Sequence, residues 1–252
     1  MFFSKQFDRR RVMAKPFPEH WESILLQAVP LYRILPETDR KALLGHIQVF
    51  LAEKHFEGAA GFTITEDVRL IVAAQACILM LHRPASYFPS LTSIIMYPGE
   101  FKAQLSEIDE CGVVTEGIDI RSGETWDGGS LVLSWDDVLI GCEAFDGYNV
   151  VIHEFAHQLD AEEGLTGCSN VTALTMNTWL KNLREEFCSF EVDLSYGKIT
   201  FIDPYAGENI AEFFAVAAES FFECPLQLKE ANGTLYSLLK GYFNQDPALY
   251  HE

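Results

Sequence analysis

The chain has 252 residues, 48% of them hydrophobic, and a formal net charge of −19 from 18 basic and 37 acidic side chains. This length can bury one substantial core. The excess of negative charge repels phosphate backbones and anionic lipid, so direct binding to nucleic acid is not expected despite the adjacent Arg9, Arg10 and Arg11. We interpret those three arginines as part of a solvated terminal arm.

The N-terminal sequence MFFSKQFDRRR lacks the continuous apolar core of a signal peptide. No run approaches the roughly 18 apolar residues that a membrane span requires. Six cysteines are scattered along the chain without a C-x-x-C pair, and a chain of this size does not depend on disulfides, so we expect reduced thiols. Together these features predict a cytoplasmic protein without a membrane partner.

The first elements along the chain are predicted to be helical. Apolar residues recur with a period near 3.6 in three segments, 19–29, 37–53 and 66–82. Thr65 is a suitable N-cap for the third of these helices. The hydrophobic pattern then changes, and three short β-rich segments follow at 93–97, 112–115 and 130–135. If 130–135 is an edge strand, its free backbone groups can pair with an extended peptide; the alternative is an ordinary strand within the sheet.

The next predicted helix covers the sequence VVIHEFAHQLD at 150–160. Asn149 or Asp146 can cap its start, and Gly164 can end it. Apolar side chains recur at i, i+4 and i+8 within the segment, which predicts a buried stripe along one side. The histidines of this segment therefore lie in the middle of a helix rather than in a loop.

This helix contains an H-E-x-x-H pattern formed by His153, Glu154 and His157. Positions i and i+4 share one face of a helix, so both imidazoles can bind a single Zn²⁺, and Glu154 lies close enough to act on a water molecule bound there. The alternative is two histidines and a glutamate on a solvated face, against which the apolar flanks argue. The pattern predicts a zinc metallopeptidase.

A catalytic zinc usually has three protein ligands and one open position, so a third ligand is expected elsewhere. The best candidate is Glu212, within the helical run ENIAEFFAVAAESFFE at 208–223. Four glutamates of this run, spaced by 4, 7 and 4 residues, share one face: Glu208, Glu212, Glu219 and Glu223. That face can also be the solvated side of an amphipathic helix, and Glu212 can complete a capping box begun by Asn209. Apolar neighbours crowd Glu212, however, and a carboxylate in such surroundings needs a metal or another partner.

Several segments together resemble the Mlc titration factor A family of bacterial zinc peptidases. They extend from about Phe17 to Pro247, and they are PFPEHW, FLAEKHFEGAAGF, AAQACILML, IIMYPGEF, GETWDGGSLVLSWDDV, IHEFAHQLD and IDPYAGENIAEFFAVAAESFF. The resemblance implies a gluzincin, that is, an α+β zincin-like protein that is mostly helical, with a small mixed sheet above the active-site helix. The length of the chain is compatible with an N-terminal helical segment, 1–60, packed on a catalytic domain, 61–252, as one compact unit.

The resemblance assigns a role to each candidate site residue. It implies that His153, His157 and Glu212 bind one zinc ion and that Glu154 is the general base. Tyr205, seven residues before Glu212, matches a tyrosine whose phenol can hydrogen-bond the developing oxyanion of a peptide substrate. The alternative for Tyr205 is a turn aromatic that packs on the core.

The same resemblance implies aminopeptidase-type activity and, separately, binding to the glucose-responsive repressor Mlc, through which sugar uptake is regulated. The alternative is a protein that sequesters a repressor and in which the zinc site is secondary or structural. A structural site needs no base beside the metal, so Glu154 favours the peptidase. One departure is Thr115, which stands where some family members carry a histidine proposed as a further ligand. Two histidines and one glutamate suffice for a catalytic site without it.

Overall fold

The computed structural model describes residues 9–108, 114–126, 128–164 and 174–251, with the side chains of 102–121, 126 and 174–177 left out. A helical segment at 9–13 precedes the longer helices. These are α1 Glu19–Ala28, α2 Pro30–Ile34, α3 Glu37–Glu53, α4 Glu66–Ile78, α5 Trp135–Ile140, α6 Val150–Glu163, α7 Leu174–Ser195, α8 Ile210–Glu223, α9 Pro225–Ala231 and α10 Gly233–Phe243. Single 3₁₀ turns lie at Pro204–Gly207 and Pro247–Leu249.

The described strands form one mixed sheet and one separate hairpin. They are β1 His55–Gly58, β2 Ser93–Tyr97, β3 Phe101–Ile108, β4 Val114–Arg121, β5 Gly123–Trp126 and β6 Ser130–Ser134. The four-stranded sheet has the order β1-β2-β6-β5, in which β1, β2 and β6 are parallel and β5 is antiparallel to β6. Among the described strands, β3 and β4 pair with each other alone, in antiparallel register from Phe101 opposite Arg121. The α+β class with a small mixed sheet is therefore confirmed.

The sheet departs from the expected order at one edge. The predicted strand 130–135 corresponds to β6, which lies between β2 and β5 and so is an interior strand, as the alternative interpretation had it. The strand at this end of the sheet is β5, which the sequence analysis did not predict. Trp135 leaves the strand to begin α5, because the hydroxyl of Ser134 caps that helix by accepting from the amide of Asp137 at 3.3 Å.

The predicted N-terminal helices are close to the observed ones, with one correction. The segment 37–53 matches α3, and Thr65 caps α4 through the amide of Val68. Helix α4 ends at Ile78 rather than at residue 82, because the amides of Met80 and Leu81 bond three residues back instead of four. The carbonyl of Ile78 accepts from the amide of Leu81 and also from the side chain of Gln245, at 2.8 Å, a partner that no local pattern can supply.

The core is built around α4, α6 and α8, which carry most of their residues buried. The predicted stripe of α6 is confirmed, since Val151, Phe155 and Leu159 are all but inaccessible. The ring of Phe155 packs against Phe88, at 4.7 Å between centroids, and against Phe50, at 5.7 Å. Aromatic burial on this scale dominates core energetics and fixes the orientation of α6.

Three smaller expectations can be compared with the structure. Arg10 and Arg11 are exposed, as predicted for a solvated arm, but Arg9 is partly buried and its guanidinium bonds both carboxylate oxygens of Glu53, at 2.6 and 2.8 Å. Free thiols are found at Cys77, Cys142, Cys188 and Cys224, while Cys111 and Cys168 lie outside the described residues. None of the described helices combines the length and apolarity required to cross a bilayer.

Two expectations stay predictions. The strand predicted at 112–115 is described only from Val114 onward, where it belongs to β4 and Thr115 lies opposite Glu107. The division into 1–60 and 61–252 is also a prediction, although β1 from the first part pairs with β2 from the second.

Candidate metal centre

Helix α6 begins and ends as its sequence requires. The Oδ1 of Asn149 accepts from the amide of Ile152 at 3.0 Å, and Gly164 has left-handed backbone angles of φ 62° and ψ 40°. A left-handed C-cap is a position that glycine occupies without strain. The helix between these caps presents His153 and His157 to one side, with their ring centroids 4.8 Å apart.

Helix α8 brings a third side chain to the histidines. Asn209 caps it by accepting from the amides of Ala211 and Glu212, at 2.9 and 3.0 Å. The Glu212 side chain then points to α6, where the Oε2 atom lies 3.1 Å from the Nε2 of His153 and 3.3 Å from the Nε2 of His157. Asn209 therefore caps the helix as predicted, but the Glu212 carboxylate contacts the histidines instead of completing a capping box.

The two Nε2 atoms and the Glu212 Oε2 atom form a nearly equilateral triangle. The two Nε2 atoms of His153 and His157 are 3.1 Å apart, so all three separations with Glu212 Oε2 lie between 3.1 and 3.3 Å. A tetrahedron with zinc–ligand bonds of about 2.0–2.1 Å has edges of about 3.3 Å. Glu212 Oε2 is also buried without a hydrogen bond of good geometry in the described structure. His153, His157 and Glu212 are therefore a group that fits a metal ion.

The charges around this group favour a cation. Burial alone would lower the pKa of His153, but the carboxylates of Glu212 and Glu219 outweigh it and raise that pKa to about 10. Burial would likewise raise the pKa of Glu212, but the two imidazoles outweigh it and hold the pKa below its ordinary range. The carboxylates thus stabilise positive charge between the histidines and Glu212, and either a proton or a divalent metal ion can supply that charge.

Behind the three atoms, a second carboxylate orients His153. The Oε1 of Glu219 lies 2.7 Å from the Nδ1 of His153, and its Oε2 accepts from the backbone amide of Asn149 at 2.6 Å. A carboxylate on Nδ1 selects the tautomer that leaves Nε2 free as a ligand. This role of Glu219 was not predicted from the sequence, where the available signal is its spacing, two turns beyond Glu212 on the same face.

Asn149 extends this support into the core. Its amide Nδ2 donates to Gln75 Oε1 at 2.6 Å and to Glu223 Oε1 at 2.9 Å. Glu219 and Glu223 are only 3% and 2% exposed, so the interpretation of these positions as a solvated face is wrong. Burial raises the pKa of Glu223 to about 8 and so favours the neutral form of that carboxyl in the interior.

Glu154 and Tyr205 line the same cleft as the metal group. The side chain of Glu154 is 8% exposed and lines the cleft, and burial raises its pKa above the ordinary range. Tyr205 is 47% exposed and also lines the cleft, with its ring 6.3 Å from that of His153. Asp203 holds the turn by accepting from the Tyr205 amide at 2.8 Å. The interpretation of Tyr205 as a core-packing aromatic is therefore wrong.

The cleft has a volume of about 1130 Å³ and is strongly acidic. Outside the metal group and its neighbours, four further carboxylates line it: Glu124, Asp146, Asp203 and Glu208. Among the described residues that line it, none is a lysine or an arginine. Strand β5 forms one wall through Gly123 and Thr125, and it is an edge strand of the described sheet.

A histidine pair one turn apart, a glutamate from a second helix and a further buried glutamate in an open cleft define the class of the protein as metallopeptidase-like. Over residues 4–244 the chain matches the family described as glucose-regulated metallo-peptidase M90, and it belongs to that family.

Relatives of similar length support this assignment. An uncharacterized protein of Synechocystis sp. is 36% identical over 244 residues, which cover 95% of this chain and 89% of the relative. Mlc titration factor A of Pectobacterium atrosepticum is 29% identical over 235 residues, 91% of this chain and 87% of the relative. Mlc titration factor A of Serratia proteamaculans is also 29% identical, over 90% of this chain and 87% of its own length.

Proposed function

We propose that this protein is a zinc-dependent peptidase of the gluzincin type. In this proposal His153, His157 and Glu212 hold one zinc ion, Glu154 is the general base, and Tyr205 assists the carbonyl oxygen. The observation that carries the proposal is the convergence of three ligand atoms at 3.1–3.3 Å in the cleft that Glu154 also lines. Imidazole nitrogen and carboxylate oxygen are donors that zinc prefers in catalytic sites.

Each side chain then has a distinct task. Bound at this point, a zinc ion would polarise a peptide carbonyl and make a water molecule acidic near neutral pH. The Glu154 carboxylate takes a proton from the attacking water and passes it to the leaving amine; its burial suits this task, because a raised pKa brings a carboxylate closer to neutral pH. The Tyr205 phenol donates a hydrogen bond to the carbonyl oxygen as negative charge develops there.

The walls of the cleft support an aminopeptidase type of specificity. One edge of β5 is unpaired among the described strands, so its backbone groups can align an extended peptide beside the metal group. The acidic lining attracts an ammonium group, and a free peptide N-terminus carries one. Peptides that present their N-terminal amine in the cleft are therefore the substrate class that we propose.

This specificity can be measured with paired substrates. We expect the zinc-loaded protein to hydrolyse alanyl p-nitroanilide and short peptides with a free N-terminus, and kcat/KM to fall about tenfold or more when the same compounds are N-acetylated, because the attraction of the acidic lining is lost. The control is a C-terminally amidated peptide, which keeps its N-terminal charge and should be cleaved as before. Equal kcat/KM for free and acetylated substrates would contradict the aminopeptidase proposal while leaving the peptidase intact.

A second proposed function is binding to an Mlc-like repressor protein in the cytoplasm, and so the regulation of sugar uptake. It is supported by the relatives that bear the name Mlc titration factor A and by the charge of −19, which suits the basic surface of a DNA-binding protein. The alternative is that the zinc site is secondary to repressor binding. In that case repressor binding does not require Glu154, whereas peptide hydrolysis does.

The two functions can be separated with the repressor of the source organism bound to its operator. We expect wild-type protein and the Glu154→Gln variant to release the DNA equally, because removing a base inside the cleft leaves the outer surface unchanged. Release should weaken at higher salt, since charge complementarity acts mainly on association. Release by the wild type alone, with repressor fragments appearing, would show that cleavage is the regulatory event.

A further inference from the structure

Strand β5 passes directly over the Glu154 side chain, and the residue at the crossing is Gly123. A Cβ atom added to Gly123 would lie 2.6 Å from both Cγ and Cδ of Glu154, and closer still to Oε1. Real Cβ atoms do not tolerate such separations. The backbone of β5 thus forms one side of the slot that the Glu154 carboxylate occupies, and only a residue without a side chain leaves that slot open.

A second contact fixes the register between this strand and helix α6. The amide of Gln158 donates to the hydroxyl of Thr125 at 2.7 Å. Thr125 is two residues beyond Gly123 on the same face of the strand, and Gln158 is four residues beyond Glu154 on the same face of the helix. Two residues of strand and one helical turn span nearly equal lengths. The contact between Thr125 and Gln158 therefore places Gly123 beside Glu154, one helical turn away.

The Glu154 carboxylate depends on this slot because little else holds it. Within the described part of the chain, no hydrogen bond fixes either of its oxygen atoms, although Glu154 is a buried residue. A long acidic side chain without hydrogen bonds keeps its rotamer only through packing. The backbone of Gly123 comes close to these terminal atoms, since a Cβ atom built on it would overlap Cγ, Cδ and Oε1 of Glu154.

We propose that Gly123 is a positioning residue for the general base: the bare backbone of β5, held in register by Gln158 and Thr125, sets where the Glu154 carboxylate lies relative to the histidines. The inference rests on the proposed function for the task of Glu154. The steric dependence of Glu154 on Gly123, however, can be measured without any turnover.

The catalytic test uses the Gly123→Ala variant of the full chain loaded with zinc. Because none of the three ligand atoms is touched, we expect about one zinc per chain, as in the wild type. We expect kcat to fall about 10–100-fold, since a shift of about 1 Å in a catalytic group has effects of this size, while KM changes less than about threefold. The control is Gly241→Ala, an exposed helical glycine with nothing within 4 Å of its added Cβ, which should keep both constants. Unchanged kcat, or a rise in KM alone, would overturn the proposal.

The structural test is a double-mutant cycle on Tm. In the wild-type background, Gly123→Ala should lower Tm by about 3–10 °C, as an overpacked site does in a chain of this size. In the Glu154→Ala background the three clashing atoms are gone, so the same change should lower Tm by less than half as much. A Gly123→Ala protein that folds only with Glu154→Ala supports the proposal equally. Equal losses in both backgrounds, no loss in either, or failure to fold in both would refute it. An absence of peptidase activity in the wild type would instead refute the proposed function and leave this coupling measurable.

Discussion

The Glu154→Gln variant should retain its zinc and its fold but lose about 10²–10⁴-fold in peptidase kcat. Glutamine has the same shape as glutamate, so the slot beside Gly123 stays filled, yet its amide cannot take a proton from water. Because a base acts on the chemical step, we expect kcat and kcat/KM to fall together. The measurement is steady-state hydrolysis of a free-amine peptide, with zinc content and circular dichroism measured on the same samples.

A matched control for this variant is Glu191→Gln, which removes one carboxylate from an exposed position on α7. It should have wild-type activity, since it changes the net charge by the same amount without touching the cleft. Near-normal turnover of Glu154→Gln would eliminate Glu154 as the base. That outcome would rule out the proposed mechanism, whereas an absence of turnover in the wild type and the variant alike would favour the alternative in which the site has a structural or secondary role.

The second large effect concerns metal content. Wild-type protein should bind about one zinc ion per chain, and His153→Ala, His157→Ala and Glu212→Ala should each lose it after dialysis against a weak chelator. Each substitution removes one of three atoms that lie 3.1–3.3 Å apart, and the two that remain cannot complete a catalytic site. The measurement is zinc by atomic emission, together with a zinc titration to obtain Kd.

Glu219→Gln is the informative comparison for these ligand variants. Glu219 bonds to His153 through Nδ1 and not at the metal point, so its loss should weaken zinc binding by about 10–100-fold yet keep the stoichiometry at saturating zinc. If Glu212→Ala kept full zinc and activity while a Glu219 variant lost both, the third ligand would have been assigned wrongly.

The elements that could be predicted from the sequence are those whose determinants are local. Helix α6 carries its caps at Asn149 and Gly164, and its histidines lie four residues apart within it. Glu212 could be selected as the candidate third ligand because apolar neighbours surround it on a capped helix. These signals depend only on residues within one or two turns of each other, so no tertiary contact was needed to interpret them.

The features that were missed depend on contacts between distant segments. Glu219 meets His153 from a position 66 residues away, and its role depends on the angle at which α8 crosses α6. Strand β5 is only four residues long and contains Gly123, so its sequence GETW gives little strand signal of its own. Its antiparallel pairing with β6 decides that it, rather than β6, borders the cleft.

The position of Asn149 has a consequence for how the protein responds to its metal. One residue caps α6, donates its backbone amide to Glu219 on α8, and donates its side chain to Gln75 on α4. The hydrogen bonds of Asn149 thus join three core helices and also hold the Glu219 carboxylate that orients His153. We therefore expect a cation bound by the histidines and Glu212 to raise the stability of the contact between these helices as well, so that metal binding and folding are coupled.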